Sequence, residues 1–348
     1  MSTSDAMKTA SLSPISLMQL ASSFWAFKTL STAVELDLFT HMAQSGSLTV
    51  EQFAAVHGFA ARPAEMLLAG CASLGLLQRS GSGYGNTALA AEFLVRGRPY
   101  YFGGFVTMLD KRLYAGWDKL PDAMRNNRPT TWDPSKHSSL FDGADPAMMA
   151  TFWEAMHSLS TFTARTLGEA VDFSRFRRLL DVGGGSAAFD IELCRRYPQL
   201  RTTVYDLPFV TEIATRNVRE AGLDGRIAMH GGNFFTDPQF PAGHDIVLFS
   251  MIMHDWDEQQ DRELLRKCYQ TLPSGGIVVI CELLVNDEKT GPPAAALMSL
   301  NMLVETEGGR NYTPSEYRGW LEATGFRNVE VKWFEAAGAN GVVIGHKP

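Results

Sequence analysis

From residue 178 to the C-terminus, short apolar runs alternate with stretches whose apolar residues recur at helical spacing. The runs at 178–182, 202–206, 226–230, 245–250, 276–282, 329–334 and 341–346 predict strands. The stretches at 187–196, 208–221, 258–272 and 314–324 predict helices. Alternation of this kind builds a doubly wound α/β sheet. Only residues 335–340 separate the last two runs, too few for a helical crossover, so these strands are expected to be antiparallel neighbours. Upstream the pattern is helical. Leu17, Leu20, Phe24, Phe27, Leu30, Val34 and Leu38 form a stripe over 15–42 that suits either core or a subunit interface. Thr49 and Gln52 predict a capping box for a helix ending near Gly58, and Pro63 suits the first turn of a helix over 64–74. Residues 76–78, the turn at 80–83 and residues 84–87 predict a small hairpin, completing a winged-helix pattern over 47–95. Asp145 and Pro146 predict the start of a long helix over 147–170. Residues 1–13 read as a loose tail, and 98–145 as an aromatic-rich connecting lobe.

A chain of 348 residues is long enough for more than one core, and 45% hydrophobic with 20% charged residues is a globular composition. The winged-helix pattern invites a DNA-binding reading, and charge argues against it. Residues 47–95 carry Arg62 and Arg79, no lysine and three glutamates, too little to neutralise phosphates. The net charge of −7 argues equally against a nucleic-acid or anionic-membrane partner. A packing or dimerisation role is expected instead. Cys71, Cys194, Cys268 and Cys281 are scattered without zinc spacing and read as buried thiols in a reducing compartment. No signal-peptide pattern and no run of about 18 apolar residues is present, which predicts a cytoplasmic protein.

Candidate chemistry begins at Asp181, Gly183, Gly184 and Gly185, where a strand ends in a glycine turn that leads into a helix. Such a turn lets backbone approach a ligand that a β-carbon would obstruct. Asp206 ends the next strand, where an acid takes ribose hydroxyls. The spacing Gly183-x-Gly185-x-x-Ala188 fits a dinucleotide fingerprint as well as an S-adenosylmethionine (SAM) turn, and a purely structural turn is the third reading. A carboxylate at Asp181 favours the cationic amino-acid end of SAM over a pyrophosphate.

The fourth strand runs into Met253-His254-Asp255-Trp256, and the fifth ends in Glu282. Ligands in open α/β sheets sit at the carboxyl ends of strands. Glu282 can therefore reach His254, fix its tautomer and stabilise its cation. Asp257 and Gln260 predict a capping box for the helix that follows. The acidic patch lacks a second histidine at ligand spacing, so no metal is expected.

LLDVGGG, the DLP after the second strand, GGNFF (231–235), MHDW, LPSGG (272–276), the Cys281-Glu282 pair and the GGR before the last predicted helix occur in that order. Together they resemble the caffeic-acid-type small-molecule O-methyltransferases, particularly the bacterial branch that modifies natural products. The resemblance covers nearly the whole chain. It implies a Rossmann-like class I SAM methyltransferase domain, with a seven-stranded sheet and terminal antiparallel hairpin, over 171–348. Ahead of it would lie a connecting helical lobe at 101–170 and an all-α, winged-helix dimerisation domain at 1–100. It further implies methyl transfer from SAM, leaving S-adenosylhomocysteine, to a small aromatic acceptor by an interlocked homodimer.

By position, the glycines with Asp181 would face the methionine part of SAM, Asp206 and Leu207 the ribose, and Asn233 and Phe234 the adenine. Ser250 and Trp256 would lie beside the cofactor. Met156, His157, Phe162, Met302 and Thr306 would line the acceptor pocket. His254 would be the general base, assisted by Glu282. Two residues depart from the family pattern: Asn233 replaces an aspartate, and Asn311 stands where a second glutamate normally flanks the histidine. An amide at Asn311 can orient an imidazole but not stabilise its cation as an anion does. Glu305 and Glu307 are expected on a different part of the loop. The ortho carbon of the same phenol is an alternative methyl acceptor.

Overall fold

The computed structural model describes residues 13–137 and 146–348, so the predicted tail up to residue 12 and the Asp145 helix start lie outside it. The chain divides into two compact units, Met1–Arg98 and Pro99–Pro348. In the first, the stripe predicted as one run is three helices, α1 (Ile15–Ala21), α2 (Ser23–Glu35) and α3 (Leu38–Ser45). The first break lies at Ser22 and Ser23, whose hydroxyls donate to the Met18 and Leu20 carbonyls and compete with the helical ladder. The second lies at Asp37, which is left-handed (φ 51°). No residue of α1 is buried; Ile15, Leu17, Met18 and Leu20 are 66–72% exposed. Helix α4 (Val50–His57) has the Thr49/Gln52 capping box. Helix α5 (Ala61–Ser73) starts three residues earlier than predicted, with Pro63 still in its first turn. Strands β1 (Leu77–Ser80) and β2 (Gly83–Asn86) form the hairpin, and Thr87 caps α6 (Ala88–Phe93).

The second unit opens with α7 (Gly103–Met108), which passes through a π-helical turn at Leu109–Leu113 into α8 (Tyr114–Asp118) and α9 (Leu120–Asn126). The long helix α10 (Pro146–Ala170) leads to the sheet. Its strands are β3 (Arg178–Val182), β4 (Arg201–Asp206), β5 (Ile227–Gly231), β6 (Ile246–Ser250), β7 (Ile277–Glu282), β8 (Arg327–Trp333) and β9 (Gly341–His346). The order is β5-β4-β3-β6-β7-β9-β8, with β5 to β7 parallel and β9 antiparallel to both neighbours. Helices α11 (Ala188–Arg196), α12 (Pro208–Glu220), α13 (Glu258–Thr271), α14 (Pro293–Glu305) and α15 (Pro314–Thr324) complete the unit.

Alternate residues of each strand pack on opposite faces. Leu180, Val247, Phe249, Val278 and Ile280 meet Leu264, Cys268, Trp320 and Leu321; Leu179, Leu248, Ile277 and Val279 meet Leu167, Phe189 and Leu193. Burial on both faces explains why the strands read as unbroken apolar runs. The hairpin β8–β9 forms as predicted, whereas α14 was not predicted. Its Ala, Leu and Met residues surround the helix, so no stripe of period 3.6 stands out. No helix among the described residues is long and apolar enough to cross a membrane.

Candidate active site

Sheet order reverses between β3 and β6, and the crevice at their carboxyl ends gathers the chemistry. Gly183 (φ 72°) and Gly185 (φ 56°) are left-handed. A Cβ on Gly183 would lie 2.4 Å from Ile252 Cδ1, and one on Gly185 would lie 3.0 Å from the Trp153 ring. The turn is tied from three directions. The Gly185 amide donates to Asp206 Oδ2 (2.9 Å), Ser186 Oγ bonds His157 Nδ1 (2.9 Å), and Asn217 Nδ2 donates to the Ser186 carbonyl (3.0 Å). Asp206 Oδ1 accepts from the Leu207 amide (2.7 Å). Burial pushes the Asp206 carboxyl up to about 6, against the downward pull of the Gly185 and Leu207 amides.

Asp181 requires a correction. It is buried beneath the turn, its carboxylate 2.9 Å from where a Gly184 Cβ would stand, and its electrostatic partner is Asp190 of α11. Burial first, then the charges of Asp190 and Asp206, hold it well above the usual carboxylate range. It is thus an interior acid beneath the turn, 1% exposed.

At the end of β5, Asn233 Oδ1 accepts from the Phe235 amide (2.9 Å), so its amide closes a local turn. Asp237 Oδ2 accepts from Tyr205 Oη (2.7 Å) and the Asn233 amide (3.2 Å). Sequence reasoning missed Lys267. This buried ammonium donates to the carbonyls of Phe234, Phe235 and Asp237 at 2.7–2.8 Å and pins the loop from α13. Phe234 and Phe235 meet Trp256 edge-on (6.1 and 4.6 Å), and the buried Trp256 Nε1 has no acceptor among the described residues. A cradle that a Cβ would fill, a carboxylate at the end of β4 and an indole donor between phenylalanines fit a nucleoside joined to an amino acid, as in SAM.

Across the crevice, β6 ends at Ser250, which is buried, and Met251 is left-handed (φ 57°). A 3₁₀ turn, Met253–Asp255, then carries His254. Glu282 ends β7. Its Oε1 accepts from the Ile252 and Met253 amides (3.0 and 3.1 Å), and its Oε2 lies 2.5 Å from His254 Nδ1. That contact assigns the Nδ1 proton to the glutamate and leaves Nε2 for a ligand. Asp255 Oδ1 lies 3.5 Å from Nε2. Burial pulls the imidazole pKa down, but Glu282, Asp255 and Glu305 outweigh it and raise it to about 9. Burial also lifts Asp255 to about 6, against His254.

Glu305 is a second correction. It ends α14, pairs with Arg112 and lies close enough to raise the His254 pKa. Asn311 is a third. Its Nδ2 donates to the Leu283 carbonyl (2.7 Å) and not to the imidazole, and its buried Oδ1 has no donor among the described residues.

The residues assigned to the acceptor pocket lie on α10, on α14 and directly after α14. Met302 is buried on α14. Met156 and Phe152 pack with Met108, Leu113 and Ala155 under the lobe, whereas His157 turns to the glycine loop. Phe162 meets Tyr100 edge-on at 6.0 Å. The Thr306 hydroxyl is consumed locally: it donates to the Met302 carbonyl (2.8 Å) and accepts from the Gly309 amide (2.9 Å). Trp153, Asn217 and Arg112 carried no spacing signal, because each is placed by a partner distant in the chain or by an irregular turn, whereas Asp255 lies within the MHDW motif without having been given a role.

Residues 117–327 match the model of the O-methyltransferase domain, and residues 18–96 that of the O-methyltransferase dimerisation domain. The 3-hydroxy-5-methyl-1-naphthoate 3-O-methyltransferase of Streptomyces sahachiroi is 47% identical, over 96% of this chain and 95% of its own. The tetracenomycin polyketide synthesis 8-O-methyl transferase TcmO of Streptomyces glaucescens is 31% identical, over 96% of this chain and 97% of its own. Human N-acetylserotonin methyltransferase, solved in complex with SAM, superposes with a TM-score of 0.86 at 28% identity, covering 98% of this chain and 99% of that one. The chain belongs to the O-methyltransferase family and is a SAM-dependent O-methyltransferase.

Proposed function

We propose that this enzyme methylates the phenolic hydroxyl of a fused-ring hydroxyaromatic acid, with His254 as general base and Glu282 as its partner. The observation that carries the reading is the 2.5 Å contact between Glu282 Oε2 and His254 Nδ1, which leaves Nε2 as the proton-accepting atom. The acceptor class follows the naphthoate enzyme that is 47% identical. The glycine turn would hold the methionine part of SAM, Asp206 the ribose, and Phe234, Trp256 and Asn233 the adenine. Bound SAM supplies an activated methyl group on a sulfonium.

The base is tuned by its carboxylates. A phenol has a pKa of about 10, so proton transfer to an ordinary imidazole at about 6.5 costs about 5 kcal/mol. Transfer to one at about 9 costs only about 1 kcal/mol. The same tuning leaves only a small fraction of chains with a neutral imidazole at pH 7, so the base gains strength and loses occupancy together.

A second copy of the chain is the proposed partner. The match to a dimerisation domain over residues 18–96 supports it, as do the uncovered side chains of Ile15, Leu17, Met18, Leu20 and Trp25. Incubation with SAM and hydroxynaphthoates, followed by mass spectrometry and NMR, tests the reaction. An aryl methyl ether is expected, and a ring-methylated product would overturn the choice of oxygen.

A further inference from the structure

Arg112 occupies the π-helical turn Leu109–Leu113, an irregularity frequent at functional sites. Its side chain is only 10% exposed. One nitrogen, Nη2, is committed: it pairs with Glu305 and donates to Thr131 Oγ1 (3.4 Å). The other, Nη1, is sealed from water and has no acceptor among the described residues. A buried guanidinium donor left unmatched is costly, so its retention in this place asks for an occupant.

The surroundings say what that occupant is. The guanidinium carbon lies 5.8 Å from the centre of the Phe152 ring, and Phe152 packs in one cluster with Met156, Met108 and Leu113. Glu305, the partner on Nη2, stands within electrostatic reach of His254. The free donor thus stands near the aromatic ring of Phe152, and the same guanidinium is joined through Glu305 to the charges that act on His254. A planar ring against Phe152 would present a substituent to Nη1. A guanidinium nitrogen in a fixed fork suits a carboxylate oxygen better than any neutral group. Phe152 is half-buried.

We infer that Arg112 is a specificity-determining residue whose Nη1 anchors a carboxylate on the aromatic acceptor. The assignment rests on the reading that the acceptor is a phenol. It goes beyond that reading by naming the residue that takes the acid group and making that group a requirement for binding.

Titration calorimetry of 3-hydroxy-1-naphthoate and 2-naphthol into wild-type enzyme and Arg112→Gln, with turnover measured in parallel, tests it. Wild type is expected to bind the naphthoate on the order of tenfold to a hundredfold more tightly than the naphthol. R112Q should erase that difference, bringing the ratio of the two affinities to about one. Arg112→Lys, which keeps the charge but not the fork, should retain part of it. Equal binding of both rings by wild type overturns the inference even if the variant fails to fold. So does an equal loss for both rings in R112Q, because a structural role would weaken both alike. Carboxylate-dependent binding without methyl transfer would overturn the proposed reaction and leave Arg112 in place. Methylation indifferent to the carboxylate would do the reverse.

Discussion

His254 sits among three carboxylates, with Glu282 on Nδ1, Asp255 near Nε2 and Glu305 farther off. With its pKa raised to about 9, kcat/KM at subsaturating cofactor should climb about tenfold per pH unit above pH 7 and level near 9. Glu282→Gln should move that limb toward the ordinary value of about 6.5 and lower the plateau. A wild-type profile flat between pH 7 and 9 would contradict the assignment. The sign for stability is opposite. A histidine whose folded pKa is raised contributes stability that is complete below about 6.5 and lost as pH rises through 9. The melting temperature of wild type should therefore fall over that window more than that of E282Q. Asp206, held near 6, predicts that SAM affinity weakens as pH drops through 6, measurable by calorimetry. At this scale the sequence was legible where chemistry coincides with a strand end, as for Asp206, His254 and Glu282. It was misleading for Asp181, whose carboxyl is held above the usual range by burial first and then by Asp190, a residue that no motif marks.

Among the elements, the loop at 231–237 depends on a side chain from another element. Lys267→Met keeps volume but strips three carbonyls of their donor, at about 1–3 kcal/mol for each left unsatisfied. The KM for SAM should rise on the order of tenfold while that for the acceptor holds, because Asn233 and Phe234 lose their support. Equal losses in both would point to general unfolding. Gly183→Ala should be worse than a usual glycine substitution, since its φ of 72° and the Ile252 methyl at 2.4 Å both oppose a side chain. The alternating pattern made the strands legible to within a residue or two. It could not reveal α14, which is apolar on every side, or the π-turn, whose register no helical period marks.

For the whole molecule, the exposed apolar side chains of Leu17, Leu20, Phe24 and Trp25 predict an assembly. Trp25→Asp combined with Leu20→Asp should give monomers by light scattering where wild type gives dimers; an unchanged mass would remove this face from the interface. Turnover by the intact enzyme decides the central claim, that an imidazole deprotonates a phenol so that its oxygen takes the methyl group. The direct measurement is kcat for wild type and His254→Ala on two acceptors of one shape, one with a phenol pKa near 10 and one already ionised at the assay pH. The loss should be about 10²–10⁴-fold on the weakly acidic phenol and shrink toward none on the ionised one. An equal loss on both, or none on either, would contradict it.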